Sequence, residues 1–243
     1  MKSYPITVKS FGEHAILVEW PNKVDDTILE DILQFTKFLK SRLEEDWEFV
    51  ASYNSLTLVS NAISIDFNNL KKELLNFYTA MDYTQKTERF LWTLPVCYDA
   101  EFGLDLDEVA RKLSMTVSEL ISNHAANEYI VYGIGFLPGF MYLGGLPKEL
   151  ETSRKDTPRL RVSKGAVGLA GKQTGIYPQD SPGGWNILGN CPVPIFNVNA
   201  AEPCFVSVGD KIRFEAISRA EYDLHKIEAE VGIYKPKKML LDA

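Results

Sequence analysis

The sequence predicts an α+β fold in which a half of mixed helices and strands precedes a turn-rich half made of short strands. Residues 133–209 hold 13 of the 16 glycines and 8 of the 12 prolines, so turns are concentrated in the second half. In the first half, apolar residues recur at strand spacing and then at helix spacing. The change in pattern follows the polar stretch 82–89 and predicts two domains, 1–86 and 87–243.

The first domain, together with the strand predicted at 90–96 just after it, is predicted to form a β-α-β-β-α-β unit with one extra strand in front of it. Apolar alternation predicts the strands, and apolar positions on one face predict the helices. The predicted strands are 4–8, 15–20, 48–51, 55–59 and 90–96, and the predicted helices are 25–40 and the segment after Asp66. Asp66 has the position of a helix N-cap. This order is typical of a ferredoxin-like split β-α-β unit.

The second domain is predicted to be a β-barrel or sandwich that contains a short helical insert near 105–125. Thr116 and Glu119 have the spacing of a capping box at the start of the second helix of that insert. Short apolar runs between Gly and Pro signals predict strands near 129–134, 166–170, 187–188, 195–198, 204–208 and 211–214.

Composition and charge exclude several functions. A formal net charge of -7 argues against nucleic acid, because phosphate contacts require clustered Lys and Arg. No apolar run reaches the length of a membrane span, and the N-terminal residues lack the apolar core of a secretory signal, so we expect no membrane association and a cytoplasmic location. Three widely spaced cysteines predict no disulfide framework.

The catalytic and cofactor motifs that we tested are incomplete. The segment 168–174 resembles a phosphate-binding loop but has Ala166 and Gln173 where that loop needs Gly and Ser or Thr, so we do not expect this chain to bind ATP in that way. The histidines lack partners at metal-ligand spacing, and we predict no metal site. No complete set of catalytic residues is visible, so the catalytic residues stay unknown.

The block 129–185 carries the candidate site. Its glycines allow backbone amides to approach a ligand, its aromatic residues supply flat apolar walls, and Arg159, Lys164, Gln173 and Tyr177 could supply the polar groups. Tight turns and core packing are the alternative explanation for the same residues.

Within this block and its flanks the sequence resembles the KipI/PxpB family, also described as allophanate hydrolase subunit 1-like. Matching segments are His124 with Tyr129, then 135–147, Pro158-Arg159, 173–178, 181–189 and 209–214. The resemblance implies a ferredoxin-like N-terminal domain and a cyclophilin-like C-terminal β-barrel. It also implies a B subunit that works with two further proteins, a KipA/PxpC-like one (C) and a PxpA-like one (A). That complex uses ATP to open 5-oxoproline to glutamate, and the chain with the B role is expected to be inactive alone.

The resemblance leaves two other functions open, an inhibitor of a sensor histidine kinase and a subunit that processes urea- or allophanate-type amides. For the oxoprolinase function we predict that Arg159 neutralises the substrate carboxylate, Gln173 and His124 hydrogen-bond the lactam, and Tyr177 and Trp185 wall the site. The residues predicted to form a pocket wall or partner surface are Phe136, Pro138, Gly139, Phe140, Tyr142, Pro182, Gly183 and Gly184.

Overall fold

The computed structural model describes residues 4–43, 46–61, 65–82 and 87–241. Within them the chain forms two units, the first ending at Glu88 and the second running from Arg89 to Leu241. Each unit has its own apolar core.

The first unit is a four-stranded antiparallel sheet with two helices. Its strands are β1 (Thr7–Ser10), β2 (Ala15–Glu19), β3 (Trp47–Ser52) and β4 (Ser55–Ser60), in the order β1-β2-β4-β3. The helices are α1 (Asp26–Lys40) and α2 (Phe67–Ala80). The carboxylates of Asp25 and Asp66 cap these helices by accepting from the backbone N–H groups of Thr27 and Asn69. The N-cap predicted at Asp66 is therefore confirmed.

The assignment of segment 90–96 to the first sheet is wrong. It lies in β5 (Arg89–Cys97), which belongs to the second unit and pairs in parallel with a strand more than 100 residues later. The fourth strand of the first sheet is instead β1, which pairs with β2. Because β2 and β3 both pair antiparallel to β4, they run parallel to each other and α1 joins them as a split β-α-β unit. The ferredoxin-like name for this unit stays a prediction.

A closed barrel of seven strands forms the second unit. In order around the barrel the strands are β12 (Asn186–Asn190), β9 (Ala166–Ala170), β10 (Gln173–Ile176), β7 (Met141–Gly144), β6 (Glu128–Ile134), β13 (Lys211–Ile217) and β5. Pairing of Asn190 with Cys97 closes the barrel. The strand β14 (Lys237–Leu241) also pairs with β5, and β8 (Arg159–Val162) forms a separate ribbon with β11 (Ser181–Gly183). The cyclophilin-like name stays a prediction.

The helical insert is present as α3 (Leu106–Lys112) and α4 (Val117–Ala125), and the predicted capping box of Thr116 and Glu119 is formed. The strands predicted at 195–198 and 204–208 are wrong, because these segments share a single isolated bridge between Phe196 and Cys204. A fifth helix, α5 (Arg219–Glu230), was not predicted. Among the described residues, no helix has the length and apolar character that a membrane span requires.

Candidate functional site

A cluster of aromatic rings lies outside the main core of the barrel and forms the centre of the candidate site. Phe140 is buried at its middle, and its ring makes edge-on contacts at centroid distances of 4.9 Å to Tyr142, 5.3 Å to Tyr177 and 5.4 Å to Trp185. Edge-to-face packing favours fixed ring orientations. The structure therefore brings together Phe140, Tyr142, Tyr177 and Trp185.

Strand β10 separates this cluster from the barrel interior. Thr174 and Ile176 belong to the interior, so Gln173 and Gly175 lie on the other face of the strand. A Cβ atom at Gly175 would lie 3.1 Å from Cζ3 of Trp185, which shows that the indole covers that face. The predicted residue Gln173 thus shares a strand face with the position that Trp185 covers.

The ribbon of β8 and β11 borders the cluster. Gly183 pairs with Arg159, and a Cβ at Gly183 would lie 2.3 Å from the Tyr177 hydroxyl oxygen. A side chain at position 183 would force the Tyr177 phenol to shift, because the phenol lies directly against the backbone there. Pro182 is exposed and Gly184 is half-buried on the same ribbon.

The loop that precedes β7 presents Phe136 to solvent. Phe136 is 69% exposed and has a φ of 69°, a left-handed conformation that is uncommon for a bulky residue. Pro138 is also exposed, whereas Gly139 and Phe140 are buried. Such a conformation is costly and is found most often at functional sites and switch segments.

A buried carboxylate holds Arg159 in place. Asp105 is 2% exposed and accepts hydrogen bonds from Arg159 Nη2 at 2.7 Å, from Lys155 Nζ at 2.8 Å and from the Ile187 N–H at 2.7 Å. Burial raises the pKa of Asp105, but the hydrogen bonds from Arg159, Lys155 and Ile187 outweigh it, so the pKa lies below the usual value. Asp105 is therefore a permanent anion at neutral pH.

The second terminal nitrogen of Arg159, Nη1, has no hydrogen-bond partner within the described ranges of the chain. This atom is buried. A buried cationic N–H without an acceptor costs free energy, which a bound anion would recover. Burial raises the pKa of the Tyr177 phenol, and the positive charges of Arg154 and Arg159 lower it by a smaller amount. Two arginines therefore converge beside the aromatic cluster.

His124 lies apart from these residues, inside the barrel. It has no exposed surface, its Nδ1 lies 2.7 Å from the Tyr98 hydroxyl, and its Nε2 lies 2.9 Å from the Thr174 hydroxyl. Because the Thr174 hydroxyl donates to the Gly168 carbonyl at 3.0 Å, Nε2 must donate to Thr174, and Nδ1 accepts from Tyr98. Burial lowers the pKa of His124 to about 3. Both nitrogens are used, so this geometry does not place His124 to bind the lactam.

The remaining nucleophiles and metal ligands support no reaction centre here. Burial raises the pKa of all three cysteines, to about 12 for Cys191, which keeps them as protonated thiols. Across the described ranges, no group of three or more His, Cys, Asp or Glu side chains is arranged to hold a metal ion.

Sequence reasoning missed Asp105, Lys155 and Arg154 as members of this site. Asp105 precedes α3, 54 residues before Arg159 in the chain, and no local pattern links the two. Arg154 could have been found from its position in the sequence, because it lies between two segments that match the family, 135–147 and Pro158-Arg159. The pairing of Asp105 with Arg159 has no signal in a single sequence.

With the barrel and the site described, comparison with known proteins defines the class. A family model described as carboxyltransferase domain, subdomain C and D, matches residues 6–206, which is most of the chain. The chain therefore belongs to this family.

Within the family, the chain is 30% identical over 233 residues to the 5-oxoprolinase B subunit of Bacillus subtilis (strain 168), covering 91% of this chain and 97% of that protein. The KipI/PxpB assignment made from the motifs is thereby confirmed. The crystal structure of TTHA0988 matches 87% of this chain with a TM-score of 0.73 at 30% sequence identity. This chain spans 40% of the length of the TTHA0988 chain. The crystal structure of the Kluyveromyces lactis urea amidolyase matches 98% of this chain with a TM-score of 0.80 at 16% sequence identity, which shows the same fold. This chain spans 16% of the length of the urea amidolyase.

Proposed function

We propose that this chain is the B subunit of an ATP-dependent 5-oxoprolinase, which opens 5-oxoproline to glutamate together with a KipA/PxpC-like protein and a PxpA-like protein, its C and A partners. The support is the similarity over nearly the whole chain to a protein named as the B subunit of 5-oxoprolinase. In this proposal the chain is inactive alone, and the ATP is bound by one of the partners.

The observation that carries the site assignment is the unpartnered Nη1 of Arg159. 5-Oxoproline has a carboxylate on a small, flat lactam ring. The proposed pose pairs that carboxylate with Nη1 and places the ring beside the aromatic cluster, because planar groups bind well against aromatic faces. Of the rings in that cluster, Tyr142 is half-buried, whereas Tyr177 and Trp185, which were predicted to wall the site, are buried. Gln173 would hydrogen-bond the lactam amide. Asp105 would act as a positioning residue that fixes the guanidinium without touching the substrate.

Binding of ATP by a partner agrees with the form of segment 168–174. This segment is the end of β9, a turn and the start of β10, so the residues after Lys172 enter a strand. A phosphate-binding loop needs a helix at that point, because the helix N-terminus supplies the amides that hold the phosphates.

The test is release of ADP by this chain reconstituted with its A and C partners, with and without 5-oxoproline, omitting each protein in turn. We expect turnover that requires both 5-oxoproline and this chain. An assembled complex whose 5-oxoproline-dependent turnover persists without this chain would refute the proposal.

A second candidate is a urea- or allophanate-type amide-processing role in a carboxyltransferase. The family description and the fold shared with a urea amidolyase favour it. This role predicts turnover of a urea-like substrate in place of 5-oxoproline. It also predicts that the chain works with a partner that carries biotin. The same reconstitution with urea and allophanate separates the two.

Inhibition of a sensor histidine kinase stays a prediction. Phe136 and Phe140 are among the residues predicted above to form a partner surface, and the segment 136–143 that contains them would supply the apolar surface for that kinase. Phe140 and Leu143 are buried in the fold, whereas Phe136 is exposed. Any such surface would therefore depend on Phe136, and loss of kinase inhibition in Phe136→Ser would test it.

A further inference from the structure

A cavity of about 450 Å³ lies in the second unit between the segment that follows β12 and one side of α5. Its volume is in the range of small-molecule sites. Residues of the segments 190–194 and 196–197 form one wall. The other wall is formed by α5, through Tyr222, Lys226, Ala229 and Glu230, and Lys164 lies at the edge. Lys164 was predicted as a polar group of the candidate site, but the structure places it at the edge of this cavity, and none of the other lining residues was assigned to the site around Arg159.

The polar part of the cavity is rigidly built. Asn190 is 7% exposed, its Nδ2 donates to the Lys164 carbonyl at 2.9 Å, and its Oδ1 accepts from the Tyr222 hydroxyl at 2.9 Å. These bonds tie the end of β12 to α5 and to the loop before β9. Side chains such as Val193, Pro194 and Phe196 supply an apolar wall.

The charge of the cavity favours an anion. In the part of the chain that the structure describes, neither the Lys164 nor the Lys226 amine forms an ion pair, whereas Lys112, Lys155 and Lys211 do. The nearby Asp180 is already paired with Arg161 and accepts from the backbone N–H of Lys164. The lining therefore carries two exposed amines, of Lys164 and Lys226, and one exposed carboxylate, of Glu230.

The chemistry of the lining is suited to binding and not to covalent reaction. Cys191 lies in the wall, but burial raises its pKa to about 12, so the thiol is a poor nucleophile.

We propose that this cavity is a second binding site, for a small organic acid with one carboxylate and a short apolar body. The carboxylate lies between the Lys164 and Lys226 amines, and the body lies against Val193, Pro194 and Phe196. This site is separate from the proposed oxoprolinase function, and neither depends on the other.

The test uses hexanoate as the probe and its neutral amide, hexanamide, as the matched ligand. Both are titrated into the full ¹⁵N-labelled chain while amide chemical shifts are followed. We expect hexanoate to shift residues 190–197 and 222–230, and hexanamide to bind at least about tenfold more weakly, because it lacks the charge that the amines recognise.

Variants locate the site. Lys164→Glu with Lys226→Glu should weaken hexanoate binding by about tenfold or more, since each charged contact is lost and reversed. Ala229→Trp should abolish binding by filling the cavity without changing its charge. Lys148→Glu, an exposed lysine outside the cavity, is the control and should bind as the parent chain does.

Three results would overturn the proposal: no hexanoate shifts at about 10 mM, shifts centred on residues 173–185, or equal affinity in the folded double-lysine variant. None of these results refutes the proposed function, in which 5-oxoproline turnover depends on the site around Arg159.

Discussion

His124 inside the barrel and Arg159 on the ribbon outside it differ in how completely their nitrogens are hydrogen-bonded. Nδ1 of His124 accepts from the Tyr98 hydroxyl, and Nε2 donates to the Thr174 hydroxyl, which in turn donates to the Gly168 carbonyl. Both nitrogens of His124 are therefore hydrogen-bonded. Arg159 uses Nη2 for Asp105 and leaves Nη1 without an acceptor among the residues that the structure describes. Both were predicted to bind substrate from the chemistry of their side chains. A buried polar side chain therefore indicates a binding site when the fold leaves one of its polar atoms without a hydrogen-bond partner.

The largest effect that this comparison predicts is on stability. His124→Ala should lower the free energy of unfolding by about 3–4 kcal/mol, because it leaves a cavity, removes the acceptor of the Tyr98 hydroxyl and removes the donor to the Thr174 hydroxyl. Urea unfolding measures this, and His225→Ala, a half-buried position on α5, is the control with an expected loss of about 0.5 kcal/mol or less. A near-neutral His124→Ala would contradict the structural role.

The pH dependence of stability isolates the same histidine. Its pKa falls from 6.5 in the unfolded chain to about 3 in the fold, so between these values only the unfolded chain binds the proton. Stability should therefore decrease as pH falls through this window, by about 1.4 kcal/mol per pH unit at most. The contribution of Asp105 is lost only below its ordinary pKa of 3.8 and does not enter the upper part of the window.

Unfolding free energies at about pH 7 and about pH 5 test this prediction. In His124→Gln the dependence between these two values should be reduced, because glutamine does not titrate. An unchanged slope in this variant would assign the dependence to other groups.

For Arg159 the expected effect is on catalysis. Arg159→Ala should reduce kcat/KM for 5-oxoproline in the reconstituted complex by about 30- to 100-fold, as expected for loss of a charge-assisted pair with a carboxylate. Arg161→Ala is the matched control on the same strand, since Arg161 is exposed and paired with Asp180. Arg159→Lys should recover part of the activity, whereas equal rates for Arg159→Ala and Arg161→Ala would remove Arg159 from the site.

The smallest effect concerns the contact between the ribbon and the aromatic cluster. Gly183→Ala should cost about 2 kcal/mol of stability and raise KM, because the new methyl group meets the Tyr177 hydroxyl. Gly135→Ala is the control, since its Cβ would meet nothing within 4 Å. Thermal unfolding and substrate titration measure both, and equal behaviour of the two variants would show that position 183 tolerates a side chain.

Much of the fold could be predicted because it depends on neighbours in sequence. The caps at Asp66 and Thr116 and the apolar face of α1 were visible at spacings of three and four residues. The helix α5 was missed although Ser218 and Glu221 form the same capping box as Thr116 and Glu119. That signal was present in the sequence, but α5 has one buried residue, Tyr222, and so a weak apolar pattern.

The aromatic and glycine-rich part of the site could also be predicted. Phe140, Tyr142, Tyr177 and Trp185 come together as a cluster, and Gly183 is required by close packing against Tyr177. The electrostatic part could not be predicted in the same way. Whether Arg159 faces solvent, an internal carboxylate or a ligand depends on Asp105, which no local spacing relates to it.

The sequence by itself determined four of the five helices in the described part of the chain, most of the strands and the family, because caps, periodicity and long motifs depend on residues close together in the chain. The tertiary structure decided that segment 90–96 joins the barrel, since the choice between two sheets depends on pairing with β13. It also decided that His124 is saturated and Arg159 is not, because their partners lie 50 and 54 residues away in the chain. Whether a polar side chain has a hydrogen-bond partner depends on which residues the fold brings next to it, and the order of the residues alone does not show this.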